Sequence, residues 1–266
     1  MTLGQIVVGI DSSAASAAAA AWATFHSGIT RRNVVLAHEG GGPQRPDEPE
    51  TSRFAGTGTI VDGLVRSGLA AGVRIDAVTG ENTAVDGLLR WSSTADLLAL
   101  GAPAKSHPRL LGQLTDHLAA TALCPVALIK PSYRPPAAAG GPVLVGMVDG
   151  PAARLSLRFA AAEAARMNTE LVIVRAGQDH LDLSMREDQE LAGIHTRFPR
   201  LSVTALEADG DPGEVLVELS AAAQLVVVGA HHSSDPWSIR LGPVTETVLR
   251  RAPCPVISVG RWHPDR

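Results

Sequence analysis

Short apolar runs recur along the chain, separated by longer stretches in which small apolar and polar residues alternate with helical periodicity. IVVGI (6–10), NVVLAH (33–38), VRIDAV (73–78), DLLALG (96–101) and PVALI (125–129) are expected strands. Several are apolar throughout, as required of strands whose two faces are both covered by helices. Helical patterns fall between them, near 14–26, 54–71, 83–95 and 114–122. The second half yields strands near 142–148, 170–175, 201–206, 224–229 and 255–259. Strand and helix alternate throughout, which predicts two five-stranded α/β units with parallel sheets and right-handed crossovers.

The two halves repeat one another. QIVVGIDSS (5–13) matches PVLVGMVDG (142–150), and an aromatic residue follows the glycine by thirteen positions in each, Trp22 after Gly9 and Phe159 after Gly146. NTAVDGLLRWSSTADLLALG (82–101) matches DPGEVLVELSAAAQLVVVG (211–229), with Leu88 and Leu216 each thirteen residues before a strand-ending glycine. TALCPVALIK (121–130) matches RAPCPVISVG (251–260). Four anchors in one order identify a tandem duplication. It divides the chain into a first domain, 1–131, a linker, 132–142, and a second domain, 143–266. The linker SYRPPAAAGGP is stiff at its prolines and loose at its glycines. EGGGPQRPDEPETS (39–52) reads as a flexible acidic loop within the first copy.

Composition narrows the function. The chain has 266 residues, 45% hydrophobic but only 3% aromatic, so its cores rest on Ala, Val and Leu. A net charge of −4 and a pI near 6.1 argue against a nucleic-acid surface. Arg250–Arg251 is the nearest thing to a basic cluster, and in the last turn of a helix it complements the dipole. The densest apolar stretch, AASAAAAAWATF (14–25), is about half the length of a membrane span and lacks the flanks of a signal peptide. With two cysteines, this places the chain in a reducing cytoplasm, with no membrane and no nucleic-acid partner expected.

GAHHSSDPWSIRLGPVTETV (229–248) carries the most chemistry. A strand, a loop framed by glycines thirteen apart and a helix N-terminus form the usual cradle for phosphate on backbone N–H groups. Together with VVGIDSS and the CPV-bearing last strands, this stretch resembles the universal stress protein family, whose tandem members are frequent in actinobacteria. The resemblance covers both halves and is weakest in the second helix and third strand of each. It implies two tandem flavodoxin-like, adenine-nucleotide-hydrolase-like domains that bind ATP or AMP in many members. It also implies pairing through the last strand. Two fused copies then form an intramolecular pseudo-dimer, and a homodimer or a regulatory protein partner remains open.

The family's ATP-binding pattern runs Gly, two residues, Gly, nine residues, then Gly followed by Ser or Thr, with an Asp after the first strand near the adenosine. Carried over, it assigns nucleotide contact to Asp11, Gly101, Gly112 and Thr115 in the first copy. In the second it assigns Asp149, Gly229, Gly242 and Thr245, with Arg240 attractive to a triphosphate. The match is partial. His232 stands in place of the middle glycine, and Pro243 replaces the Ser or Thr, removing a hydroxyl and an amide donor. Thr245 caps the helix or reaches a phosphate, the cap being favoured. In the first copy Gly101 and Gly112 are only eleven apart, Ala104 holds the middle position and Gln113 follows. Asp11 sits where the family requires it, whereas Asp149 arrives one residue late, after Val148, which turns a strand side chain to the opposite face.

Other chemistry is thinner. His231–His232 lacks partners at ligand spacing, so no metal site is expected. Cys124 and Cys254 read as small buried residues, since redox sensing requires exposure and a lowered pKa. Nucleophile-elbow and P-loop motifs are absent, and the spaced glycines of GTGTIVDG (56–63) head a helical region, unlike a dinucleotide fingerprint. The expectation is a non-enzymatic, regulatory or stress-adaptive protein whose ATP binding is degenerate, weak or absent. The alternatives are an ATP-binding member with slow hydrolysis or nucleotidyl transfer, and a nucleotide-free interaction module.

Overall fold

The structure is a computed structural model that describes residues 4–39, 62–64, 66, 68, 72–102, 113–134, 140–147, 151–177, 184–230 and 241–262. The chain forms two compact units, Met1–Pro135 and Pro136–Arg266. The division falls within the Pro- and Gly-rich stretch at 132–142.

The first unit runs β1 (Gln5–Gly9), α1 (Ala14–Thr30), β2 (Asn33–Glu39), β3 (Ile75–Gly80), α2 (Ala84–Ser92), β4 (Leu97–Gly101), α3 (Gln113–Thr121) and β5 (Val126–Ile129). Its strands are all parallel, in the order β3-β2-β1-β4-β5. The second unit runs β6 (Val143–Met147), α4 (Pro151–Met167), β7 (Leu171–Ala176), α5 (Ser184–Arg197), β8 (Val203–Ala208), α6 (Pro212–Leu219), β9 (Leu225–Gly229), α7 (Pro243–Arg251) and β10 (Val256–Val259). Its order, β8-β7-β6-β9-β10, repeats the first. Flavodoxin itself runs 2-1-3-4-5; here the doubly wound order is 3-2-1-4-5, which puts the switch points between β1 and β4 and between β6 and β9. In sheets of this kind, ligands enter the crevice beyond the carboxyl ends of the strands at the switch point.

The repeat anchors prove to be packing partners. A Cβ on Gly9 would press on the Leu100 and Leu88 side chains, at 2.9 and 3.1 Å, and one on Gly146 would lie 2.6 Å from Leu216 Cδ1. Leu88 and Leu216 are 3% and 1% exposed, so each helix drops a leucine onto a bare strand glycine. Burying one such leucine stabilises by about 1.5–3 kcal/mol. Trp22 and Phe159 are equally buried. The capping residues are also matched: Thr83 accepts from the Asp86 N–H of α2 and Asp211 from the Glu214 N–H of α6.

α1 runs to Thr30, four residues past its expected end, and buries the polar residues Ser27 and Thr30 in its last turn. His26 stacks on Trp22 at 4.6 Å, and Thr30 donates to the His26 carbonyl at 2.8 Å. The helix closes at Arg31 in the left-handed conformation, φ 55°. The expected helix at 54–71 is helical at residues 62–64, 66 and 68, and the rest of it lies outside the described residues. α5 carries no strong apolar stripe and escaped sequence reading. Arg158 of α4 holds it by a two-pronged pair with Glu190, at 2.7 and 2.9 Å. Arg250 and Arg251 close α7 and pair with Glu246 and Glu214.

Candidate functional site

At the first switch point the chain leaves β1 through Ile10–Asp11–Ser12–Ser13 and enters α1. The sequence that makes this turn also fixes its chemistry. Asp11 Oδ1 accepts from the Ser13 N–H at 2.8 Å, and Ser13 Oγ accepts from the Ser16 N–H at 3.1 Å as the helix N-cap. Ser16 Oγ accepts from the Asp11 N–H at 3.2 Å and donates back to the Asp11 carbonyl at 2.8 Å. His38 Nδ1 lies 2.9 Å from the Ile10 carbonyl, which requires the proton on Nδ1. Burial works to raise the Asp11 carboxyl. Hydrogen bonds from Ser13 and Ser16 and the charge of His38 outweigh it and hold the group below the usual carboxylate range. Asp11 is therefore an exposed, ionised acceptor at the crevice, suited to a hydroxyl donor and hostile to phosphate.

Across the crevice, Gly101 ends β4. A Cβ there would collide with the backbone of Ala15 and Ser16, 2.6 Å from the Ser16 nitrogen. This glycine therefore serves the close approach of α1 to β4. Ala102 continues the ladder, donating to the Ile129 carbonyl at 2.7 Å. Thr115, in the first turn of α3, is 5% exposed and faces the unit's interior. Gly112 and Ala104 lie outside the described residues, and only the backbone of Gln113 is described.

The second switch point shows its helix terminus in full. Gly229 ends β9, and Ala230 donates to the Val259 carbonyl at 2.9 Å. The chain returns at Gly242, whose N–H donates to the Ala230 carbonyl at 3.2 Å and closes the loop at its neck. Gly242 is the N-cap of α7, with φ −67° and ψ 157°, and no side chain caps the helix. Pro243 follows at the first helical position, where its fixed φ suits the helix and its missing N–H removes a donor. At most the N–H groups of Val244 and Thr245 remain to the first turn.

Thr245 requires a correction. Its hydroxyl neither caps the helix nor stands ready for phosphate. It donates to the Gly229 carbonyl at 2.6 Å, and the residue is 4% exposed. A hydroxyl has one proton, and here it joins the helix to the strand end. The pattern that assigned it, a hydroxyl near a helix start, cannot distinguish a phosphate donor from a helix–strand tie. Asp149, Arg240, His231, His232 and Asp235 lie outside the described residues.

Among the described residues no cluster of His, Cys, Asp or Glu is arranged to hold a metal ion. Among the described residues no helix is long and apolar enough to cross a membrane. Cys124 is buried at 2% exposure, and burial pushes its thiol up to about 12, which removes it from redox chemistry. Cys254 is half-buried, contrary to the buried reading of both.

The chain that forms these two switch points is similar to known proteins. Residues 141–260 match the model of the Universal stress protein family. Over 95% of both chains, the sequence is 32% identical to Universal stress protein Rv2005c of Mycobacterium tuberculosis (strain ATCC 25618 / H37Rv). The chain belongs to the universal stress protein family. Universal stress protein Rv2623 of the same strain is 31% identical over 95% of each chain. A universal stress protein from Archaeoglobus fulgidus DSM 4304 shares the fold across 97% of this chain and 98% of its own, with a TM-score of 0.73 at 16% identity. This universal stress protein therefore carries the family fold in both units.

Proposed function

We propose that this universal stress protein is a regulatory, stress-adaptive member whose ATP binding is weak or absent and which performs no catalysis. The observation that carries this reading is the Thr245 hydroxyl, buried and committed to the Gly229 carbonyl at 2.6 Å. Around it, Pro243 offers no N–H and the Gly242 N–H is spent on Ala230. A helix terminus holds a phosphate by offering several free N–H groups and a hydroxyl at once. This one retains the fold of the cradle without most of its donors. Asp11, exposed and ionised, adds an acceptor suited to a sugar hydroxyl, so a nucleoside or AMP would suffer less than ATP. Regulation then acts through the loops at the switch points, whose state biases a partner-competent population.

Mass spectrometry of nucleotide released from the purified, denatured protein tests the reading. The expected result is protein free of ATP, with phosphate release from added ATP at background. ATP recovered near one equivalent per chain would overturn it. Phosphate release lost on Asp11→Asn substitution would replace it with slow hydrolysis.

A further inference from the structure

A second concave site lies in the first unit, on the flank of α2 beside β3. It is lined by Glu39, Val78, Asn82, Arg90 and Trp91, with Thr79, Gly80 and Gly87 completing its wall, and its volume is about 340 Å³, the lower end of small-molecule pockets. The Glu39 side chain leaves the end of β2 and lies between β3 and α2. One carboxylate oxygen, Oε1, accepts from the Trp91 indole N–H at 3.2 Å. The other, Oε2, is sealed from water and has no hydrogen-bond partner.

Two glycines make this placement possible. A Cβ on Gly80 or on Gly87 would occupy the space of the Glu39 carboxyl group. Gly87 is in the body of α2, where glycine costs about 1 kcal/mol relative to alanine. The helix thus carries a destabilising residue opposite a carboxylate that is itself only half satisfied. A buried unpaired oxygen of a charged group adds a further penalty. A fold that bears both costs at one point is organised around something that offsets them, and a donor reaching Oε2 would do so. The last torsion of a glutamate is soft, so an oxygen can turn towards an entering donor at little cost.

The rest of the lining says what surrounds that donor. Trp91 and Val78 supply an apolar wall, and Arg90, exposed at the rim, supplies a guanidinium that accepts an anion and repels a bare cation. We propose that this pocket binds a small dipolar molecule of the α-amino acid class. Its ammonium group pairs with Glu39, its carboxylate with Arg90, and its apolar body lies on Trp91 and Val78. The site is independent of the phosphate loops and gives the first unit a ligand of its own.

The test is an NMR titration of the full chain with L-leucine, read at the Trp91 indole N–H resonance and assigned by its loss in Trp91→Phe. L-Leucine should shift the resonance to saturation. Isovalerate and isoamylamine, each lacking one of the charges, should bind at least tenfold more weakly. Glu39→Gln and Arg90→Ala should each weaken leucine about tenfold or more, the loss expected of one charged hydrogen bond. Arg90 is exposed, so its variant keeps the test open if Glu39→Gln fails to fold. An unmoved resonance would overturn the proposal, as would equal binding of leucine to wild type and Arg90→Ala. Adenosine shifting the resonance while leucine does not would also overturn it, by returning the pocket to the nucleotide site.

Discussion

In the first unit, the turn after β1 is tied at every step. Asp11 holds the Ser13 amide, Ser13 caps α1, and Ser16 bonds back to the Asp11 backbone. In the second unit, at the helix start after β9, Thr245 and Gly242 stitch α7 to β9. Both networks are local, polar and well satisfied, yet they leave different groups facing the crevice. The first leaves an ionised carboxylate. The second leaves a helix start with few donors. The duplicated halves share one topology but differ in sequence at these places, Asp11 against Val148 and Gln113 against Pro243, while the glycine–leucine contact that holds sheet to helix is kept in both.

That contrast can be broken first through stability, where effects are largest. Leu88→Ala and Leu216→Ala should each cost about 2–5 kcal/mol in urea unfolding followed by circular dichroism. Gly146→Ala should be less harmful in the Leu216→Ala background than alone, because the added Cβ enters the space that the leucine vacates. Additive costs would show that the two anchors do not press on one another. Gly101→Ala should cost about 1–3 kcal/mol and exceed Gly9→Ala, because its Cβ meets backbone where that of Gly9 meets leucine methyls. A smaller cost for Gly101→Ala would refute the close approach of α1 to β4.

Thiol labelling compares the halves at equivalent last-strand positions. At pH 8 a disulfide reagent should modify half-buried Cys254 well before Cys124, whose thiol is pushed up to about 12. Equal rates in the folded protein would contradict the burial of Cys124. The smallest effect concerns Asp11. Its carboxyl is held below its ordinary value, so it stabilises the fold above about pH 4 and loses that contribution as pH falls through the native value. Asp11→Asn keeps an acceptor for the Ser13 amide. The gap in Tm between wild type and this variant should be widest near neutrality and close in acid. A gap that grows in acid would reverse the sign.

Much of this was legible in the sequence, and the reasons are specific. Strands buried on both faces write themselves as apolar runs, so all ten lie where the pattern put them, within about two residues at most ends. Gly9, Gly146, Leu88 and Leu216 stood out by their repeated spacing to other anchors, and in the fold each glycine receives its half's leucine. The expected α1 stopped at 26, short of Ser27 and Thr30, which the helix buries with their hydroxyls bonded to the Arg32 and His26 carbonyls. Thr245 misled because its partner is a carbonyl sixteen residues away that no pattern displays. Glu39 was read only as the start of an acidic loop. Its signal was available in Gly87, a glycine in a helix interior with no turn to explain it.

The central claim concerns α7, and calorimetric titration with ATP tests it most directly. Wild type should show no micromolar binding. Pro243→Ser, which returns an N–H and a hydroxyl to the helix start, should gain affinity at one site per chain. Micromolar ATP binding to wild type, at one site per chain or two, would contradict the account.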